Sequence, residues 1–314
     1  MTQQPRSDRP GPLRVAVGYA AILGTLPYLT LKLAWLTGHP LGLADPDLVD
    51  GPMMYAANAF TGGMDLVAIL LALTFTHDRR GRAPAWPLVF PIWVGTGFLA
   101  PIALAGPLIG VDFALPTEET TGPALEPWVT PLVYASFAWQ GVTLLTAFAL
   151  YARVRWAALF STRLGAVPLG GTGAVAAVLG VVAAVTHLAW ALGVPVGVDV
   201  PRGLGQHAVN AVDGLLALAA VAGLLAAARG RTGSRWALAA GWTGEAAMFA
   251  WGFWSLVTTT AMAEVFRGPT AAHLVVQGAR CLGGILLGVA VLRVVSRRAG
   301  TAAGPVGAVV RPAA

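Results

Sequence analysis

Eight long apolar stretches dominate the chain and limit what it can fold into. They lie at residues 13–37, 53–76, 86–110, 129–152, 172–194, 207–228, 236–258 and 271–292. A hydrocarbon core about 30 Å thick needs about 20 apolar residues for one helical crossing, and every stretch meets that length. Only 11% of the residues are charged and 56% are hydrophobic, which is far from the composition of soluble domains. We therefore predict an all-α membrane protein with eight transmembrane helices.

The segments that connect these stretches differ in charge between the two sides of the membrane. Sixteen arginines lie in the N-terminal arm, alternate loops and the C-terminal tail, and only Arg202 and Arg267 lie in the opposite loops. Loops rich in basic residues remain in the cytoplasm. We predict a multi-pass protein of the plasma membrane with both termini cytoplasmic. The net charge of +6 follows from this topology and gives no reason to expect a nucleic-acid partner.

An internal similarity links the two halves of the chain. Residues 20–42 read AAILGTLPYLTLKLAWLTGHPLG and residues 176–197 read AAVLGVVAAVTHLAWALGVPVG, which share AA, LG, LAW and G-x-P-x-G in the same order. A repeat of four spans keeps its orientation when it is duplicated, and ligand sites often lie between such repeats. We predict parallel-oriented four-helix repeats at residues 1–157 and 158–298, and a disordered cytoplasmic tail at 299–314.

Ionisable side chains inside the apolar stretches are the main candidates for function. A charge at the bilayer centre costs at least about 2.5–3.5 kcal/mol, so such residues usually serve a purpose. Five charged residues lie inside the apolar stretches, namely Lys32, Asp65, Asp213, Glu245 and Arg280. Polar residues of the same stretches accompany them, namely Asn58, Gln140, His187, His207 and Asn210. Their positions along the helices predict a polar cavity on the side away from the termini that narrows toward the membrane centre.

Two interpretations of these groups remain open. Lys32 and Arg280 can neutralise Asp65 and Asp213 as structural ion pairs, and Asn58 and Asn210 can be hydrogen-bonding residues between packed helices. Two such pairs leave Glu245 without a partner. An unpaired carboxyl in an apolar environment stays protonated, which is what a general acid requires.

Aromatic residues deep in the apolar stretches are a second indication of chemistry. Trp242, Glu245 and Phe249 share one helix face, and Trp139 and Trp251 lie at similar depth. Ring faces stabilise cations, although packing in the helix bundle is the simpler role of each ring.

The whole-chain arrangement of intramembrane acids and tryptophans, with the stretch PYLTLKLAWLTG at residues 27–38, resembles the integral-membrane terpene cyclases of actinobacterial natural-product clusters, the drimentine type. The resemblance implies a lipidic isoprenoid or prenylated small-molecule substrate that enters from the membrane lipid. It carries no catalytic motif, so the site residues are our own assignment.

In this interpretation Glu245 or Asp213 is the general acid and Asp65 is a second acid or the terminating base. Trp139, Trp242, Phe249, Trp251, Asn58, Asn210 and Gln140 line the path of the carbocation, and Lys32, Arg280, His187 and His207 tune the charge. The sequence contains no diphosphate–magnesium motif, no clustered metal-binding histidines and no Gly-rich phosphate loop. We therefore predict no metal and no cofactor.

Two other functions agree with the same residues. A small-solute or ion-coupled transporter built from two four-helix repeats would use Lys32, Asp65, Asp213 and Glu245 as a coupling site. A non-catalytic membrane subunit would need none of the buried acids.

Overall fold

The computed structural model describes residues 11–78, 83–114, 125–157, 168–195, 203–229, 235–261 and 270–302. In these ranges the chain forms eight long helices and a short 3₁₀ helix at Pro46–Asp50. The long helices are α1 (Pro12–Leu36), α2 (Pro52–His77), α3 (Trp86–Ala114), α4 (Val129–Arg155), α5 (Gly170–Ala191), α6 (Leu204–Ala228), α7 (Arg235–Ala261) and α8 (Ala271–Ala302). The prediction of an all-helical chain is confirmed.

The helix bounds follow the apolar stretches, with one clear difference. Helix α8 continues to Ala302, so residues 299–302 are helical and the prediction of a disordered tail is wrong for them. Two of these four residues are alanine, the strongest helix former, and they extend a helix that the preceding apolar stretch has already begun. The rest of that tail, residues 303–314, lies outside the described residues.

Seven of these helices are long and apolar enough to cross a membrane. Helix α7 is not among them, although it has 27 residues. It packs against α3, α6 and α8, and its sequence includes Glu245 together with several glycines and threonines. A helix enclosed by three others does not need an apolar surface on every side, so its lower hydropathy is consistent with a central position in the bundle.

The helices pack in the same order in each half of the chain. In the first half α1 lies against α2 and α4, and α3 lies against α4. In the second half α5 lies against α6 and α8, and α7 lies against α8. The halves differ in one respect, because α6 and α7 pack closely whereas α2 and α3 barely touch.

The similar LAW segments end their helices in the same way. The N–H of His39 donates to the carbonyl of Ala34, and the N–H of Val194 donates to that of Ala189. In both turns a left-handed glycine, Gly38 (φ 78°) or Gly193 (φ 81°), follows the helix. These bonds define a Schellman end. Its left-handed position favours glycine, because glycine has no Cβ.

Helix α3 joins the two halves. It packs on α6 and α7, and its contact with α7 is made at the level of the backbone. A Cβ atom at Gly97 would overlap the carbonyl oxygen of Ala246 and lie 2.8 Å from the Cβ of Ala250. Only glycine permits this approach.

At the end of the bundle where α1 begins, which we call the arginine end, polar contacts hold α1, α2 and α4 together. Arg14 donates to the carbonyl oxygens of Phe75 and Asp78. The hydroxyl of Tyr151 donates to the Asp78 carboxylate over 2.7 Å, and Arg155 lies 3.7 Å from the same carboxylate. The opposite end of the bundle, which we call the cavity end, is where the candidate site lies.

Candidate functional site

A cavity of about 550 Å³ opens at the cavity end of the bundle. Its wall combines residues of α3 and α4 from the first half with residues of α5, α6, α7 and α8 from the second. Cavities of about 300–1,000 Å³ with a few polar groups among aromatic walls are typical of small-molecule sites. The predicted polar cavity on the side away from the termini therefore has a counterpart in the structure.

The floor of the cavity carries an ion pair between α6 and α8. Arg280 Nη2 lies 2.7 Å from Asp213 Oδ1, and the two side chains are only 5% and 4% exposed. His187 of α5 lies beside them, with Nδ1 at 4.0 Å from Asp213 Oδ2. The same nitrogen is 3.1 Å from Asn210 Oδ1, to which its N–H donates. Four residues predicted from the sequence are thus brought together, and Asp213 is a paired carboxylate rather than a free acid.

Besides Asp213 Oδ1, which contacts Arg280 as an ion pair without hydrogen-bond geometry, three buried polar atoms around this floor have no hydrogen-bond partner among the described residues. They are Asn210 Nδ2, Gln277 Oε1 and Trp251 Nε1. All three residues line the cavity. Burying such a group without a partner costs roughly 1–3 kcal/mol, so an arrangement of two donors and one acceptor around one cavity favours a bound polar molecule.

The mouth of the cavity is shaped by a carboxylate at the end of α3. Asp112 accepts hydrogen bonds of 3.1 Å from the backbone N–H groups of Leu204 and Gly205, the first residues of α6. A carboxylate at a helix N-terminus satisfies free N–H groups and interacts favourably with the helix dipole. Asp112 therefore has its charge compensated and holds the first half against the second.

Aromatic rings form part of the cavity wall. Trp190 of α5 stacks on His273 of α8, with ring centroids 6.1 Å apart and an interplanar angle of 21°. His273 also contacts the hydroxyl of Ser255 on α7, at 3.3 Å. These residues line the cavity above its floor and connect three helices of the second half.

A second ion pair lies in the first half, away from this cavity. Lys32 Nζ donates to Asp65 Oδ2 over 2.6 Å, and the two side chains are 2% and 8% exposed. The ammonium group also lies 3.6 Å from the centroid of the Tyr28 ring, which is a cation–π contact. Both charges are thus compensated locally, as the ion-pair interpretation of the sequence expected.

Glu245 lies apart from both ion pairs, and its carboxyl has no cationic partner among the described residues. In the part of the chain that the structure describes, no lysine, arginine or histidine forms an ion pair with it, and the residue is 4% exposed. The indole N–H of Trp93 is the hydrogen-bond donor that faces the carboxyl. Gly288 of α8 lies beside both groups, because a Cβ there would lie 3.5 Å from the Trp93 ring and 3.9 Å from the carboxyl carbon of Glu245. The prediction that Glu245 remains without an ionic partner agrees with this geometry.

Glu245 does not line the cavity, and several predicted lining residues also lie elsewhere. Trp139 is 55% exposed on the outside of α4, where its N–H donates to the carbonyl of Ala20. Trp242 donates to Thr96 and stacks on Phe148, and Phe249 stacks on Trp93. The residues that we expected to line one continuous path therefore lie in separate parts of the bundle.

The remaining polar residues that were predicted for the site have hydrogen-bond partners within the bundle. Asn58 donates to the carbonyl of Met54 one turn earlier, and Gln140 donates to the hydroxyl of Thr25. His207 Nδ1 lies 2.9 Å from the carbonyl oxygen of Ala191, to which it donates. These contacts link or stabilise helices. Neither Asn58 nor Gln140 is among the residues that line this cavity, so the structure does not support placing them in its wall.

Three contributions were not predicted from the sequence. They are the cap formed by Asp112, the contact of Ser255 with His273, and the ring of Tyr28 over Lys32. The apolar stretch 86–110 ends before Asp112, whereas α3 continues to Ala114 and so includes this residue. The G-x-G at Gly203 and Gly205 was a possible signal, since a side chain at Gly203 would meet the Asp112 carboxylate.

No protein-family model matches the chain, and no curated protein or solved structure matches it either. In the described ranges, no three His, Cys, Asp or Glu residues lie together in a way that could hold a metal ion.

Proposed function

We propose that the chain is a membrane transporter that binds a small polar solute in the cavity of α3–α8 and carries it across the bilayer. The observation that carries this proposal is the cavity floor, where a buried ion pair and three unpartnered polar atoms surround one space. An aprotic site for carbocation chemistry would instead have apolar walls and a free acid. The floor of this cavity is polar and its acid is paired.

The proposal includes the topology that the sequence predicts. In this topology α7 also crosses the membrane, which makes eight spans, and both termini are cytoplasmic. Residues 1–157 and 158–298 are repeats of one four-helix unit. The matching Schellman ends at Gly38 and Gly193 and the matching order of helix neighbours support the repeat. Because α3 and α4 contribute to the cavity wall, the site lies where the two units meet, as in many transporters.

Transport is tested with a mixture of solutes, so that the transported one is identified by the assay itself. Proteoliposomes are exposed to a uniformly ¹³C-labelled hydrophilic cell extract, and the entrapped labelled solutes are identified by mass spectrometry. We expect at least one to enter faster than into protein-free liposomes. Ser255→Trp should reduce its entry by roughly tenfold or more, because an indole would occupy the space beside His273.

The matched control is Val182→Trp, which adds the same side chain on the outer surface of α5, where Val182 is 44% exposed. It should transport as the unaltered protein does. Thermal unfolding of both variants checks that they are folded. Entry of no labelled solute, or equal entry with Ser255→Trp in a folded protein, would refute transport through this cavity.

A terpene cyclase is the second candidate, and the surroundings of Glu245 favour it. Its buried carboxyl, which has no cationic partner among the residues described, lies beside Trp93, whose ring stacks on Phe249 at 5.0 Å. Phe90 and Phe253 extend this row of rings to the lipid-facing surface, where they are 59% and 42% exposed. A prenyl chain dissolved in the bilayer would meet these rings before it met the acid.

The cyclase is tested with purified protein and a farnesylated indole diketopiperazine. Protonation of an alkene, ring closure and loss of a proton give isomers of unchanged mass, and Glu245→Gln should abolish them because the amide cannot supply the proton. Arg293→Met, at the far end of α8, is the control and should keep full activity. Recovery of only the starting compound from the unaltered protein, or full turnover by Glu245→Gln, would exclude this candidate.

A further inference from the structure

We infer that the solute bound in the α3–α8 cavity is uncharged and polyhydroxylated, a sugar or a related polyol. The inference rests on the proposed transport function and specifies the class of its substrate. It follows from the charges and unpartnered polar atoms of the cavity wall.

The charges in the wall leave no free ionic partner for a ligand. Arg280 and Asp213 neutralise each other at 2.7 Å. Asp112 at the mouth is compensated by the N-terminus of α6. Among the residues described as lining the cavity, these are the only Asp, Glu, Lys and Arg residues. An anion would have to take Arg280 from Asp213, and a cation would have to take Asp213 from Arg280 or bind the half-buried Asp112, whose two oxygens already accept from α6. Separating Arg280 from Asp213 leaves a buried charge without its partner, which is costly.

The unpartnered atoms call for both kinds of hydrogen bond. Asn210 Nδ2 and Trp251 Nε1 are donors, and Gln277 Oε1 is an acceptor. A hydroxyl group both donates and accepts, so a molecule with several hydroxyls can satisfy all three atoms in one pose. A simple ketone or ether could not donate to Gln277.

The aromatic walls and the volume agree with the same class. A sugar ring has apolar C–H faces as well as hydroxyl edges, and aromatic side chains of the cavity wall, Trp251 and Tyr134 among them, provide apolar surface beside the polar atoms. The volume of about 550 Å³ is ample for a hexose.

Three probes with one carbon skeleton and different charge test the inference. Binding of D-glucose, D-glucuronate and D-glucosamine to the full-length protein in nanodiscs is measured by isothermal titration calorimetry. We expect glucose to bind at least about ten times more tightly than either charged analogue, because the charged forms must compete with the existing ion pair or cap.

Gln277→Leu should weaken glucose binding about tenfold, since a ligand hydroxyl loses its acceptor. The matched control is Gln140→Leu, which alters an equally buried glutamine that already donates to Thr25, and glucose affinity should not change. Should Gln277→Leu fail to fold, Trp251→Phe removes one donor while keeping an aromatic ring at the site and should weaken binding to a similar extent.

Absence of glucose binding, tighter binding of glucuronate or glucosamine, or unchanged affinity in folded Gln277→Leu or Trp251→Phe overturns the inference. The proteoliposome assay with labelled cell extract distinguishes a wrong ligand class from an absence of transport. If labelled charged solutes enter the proteoliposomes and glucose does not bind, the ligand class is wrong and transport stands. If glucose binds as expected and no labelled solute enters, the ligand class stands and the cavity belongs to a receptor or an enzyme.

Discussion

Replacing Arg280 by methionine is expected to lower the free energy of unfolding by about 3–5 kcal/mol, because it leaves the Asp213 carboxylate buried without its cation. Both side chains are at most 5% exposed, so solvent cannot take over the role of the guanidinium. His187 lies 4.0 Å away and offers only partial compensation. Unfolding in a reversible SDS titration, followed by tryptophan fluorescence, measures the loss.

The double variant Arg280→Met/Asp213→Leu tests the cause. Replacing both members of a buried pair by apolar residues is often neutral, so the double variant should recover most of the lost stability. Arg293→Met is the control on the same helix, where an exposed side chain donates to Thr172, and it should change stability by less than about 1 kcal/mol. A single Arg280→Met variant as stable as the unaltered protein would contradict the buried ion pair.

Adding one methyl group at Gly97 should cost about 3 kcal/mol, the upper end of the range for overpacking. The new Cβ would collide with the backbone carbonyl of Ala246, which cannot move away as a side chain can. Helices α3 and α7 would have to separate, and α3 is the helix that joins the two halves. The same SDS titration measures the effect of Gly97→Ala.

Gly95→Ala is a closely matched control, since Gly95 lies two residues away on the same helix and a Cβ there has no atom within 4 Å. Removing a flexible glycine from a helix interior should stabilise the protein by about 0.5–1 kcal/mol. Opposite signs for the two substitutions would establish the close crossing of α3 and α7. Equal, small effects would mean that the two helices do not approach each other at the level of the backbone.

The helices were predictable because the length of an apolar stretch is a local property of the sequence. Two buried ion pairs were also one interpretation of the sequence, but no pattern decided which cation meets which acid. Lys32 pairs with Asp65 on the next helix, whereas Arg280 pairs with Asp213 two helices earlier. Which helices become neighbours depends on packing of the whole bundle, and no spacing in the sequence records it.

The misassigned tryptophans have a related physical cause. In a soluble protein a large apolar residue usually turns inward, but in a bilayer both the lipid-facing and the inward surfaces are apolar. Trp139 and Trp251 are therefore indistinguishable by hydropathy, yet one lies outside α4 and the other lines the cavity. Some polar residues indicated the site correctly. Asn210, Asp213 and Arg280 avoid lipid and lie together at the cavity floor.

The cap at the cavity mouth also bears on how the two halves can move. Asp112 belongs to the first half, and the N–H groups of Leu204 and Gly205 that donate to it belong to the second. Any rocking of one half against the other that widens the mouth at this edge has to release the first turn of α6. The cap therefore ties the two halves together at this edge, and opening the edge costs these two hydrogen bonds in addition to the packing of α3 on α6.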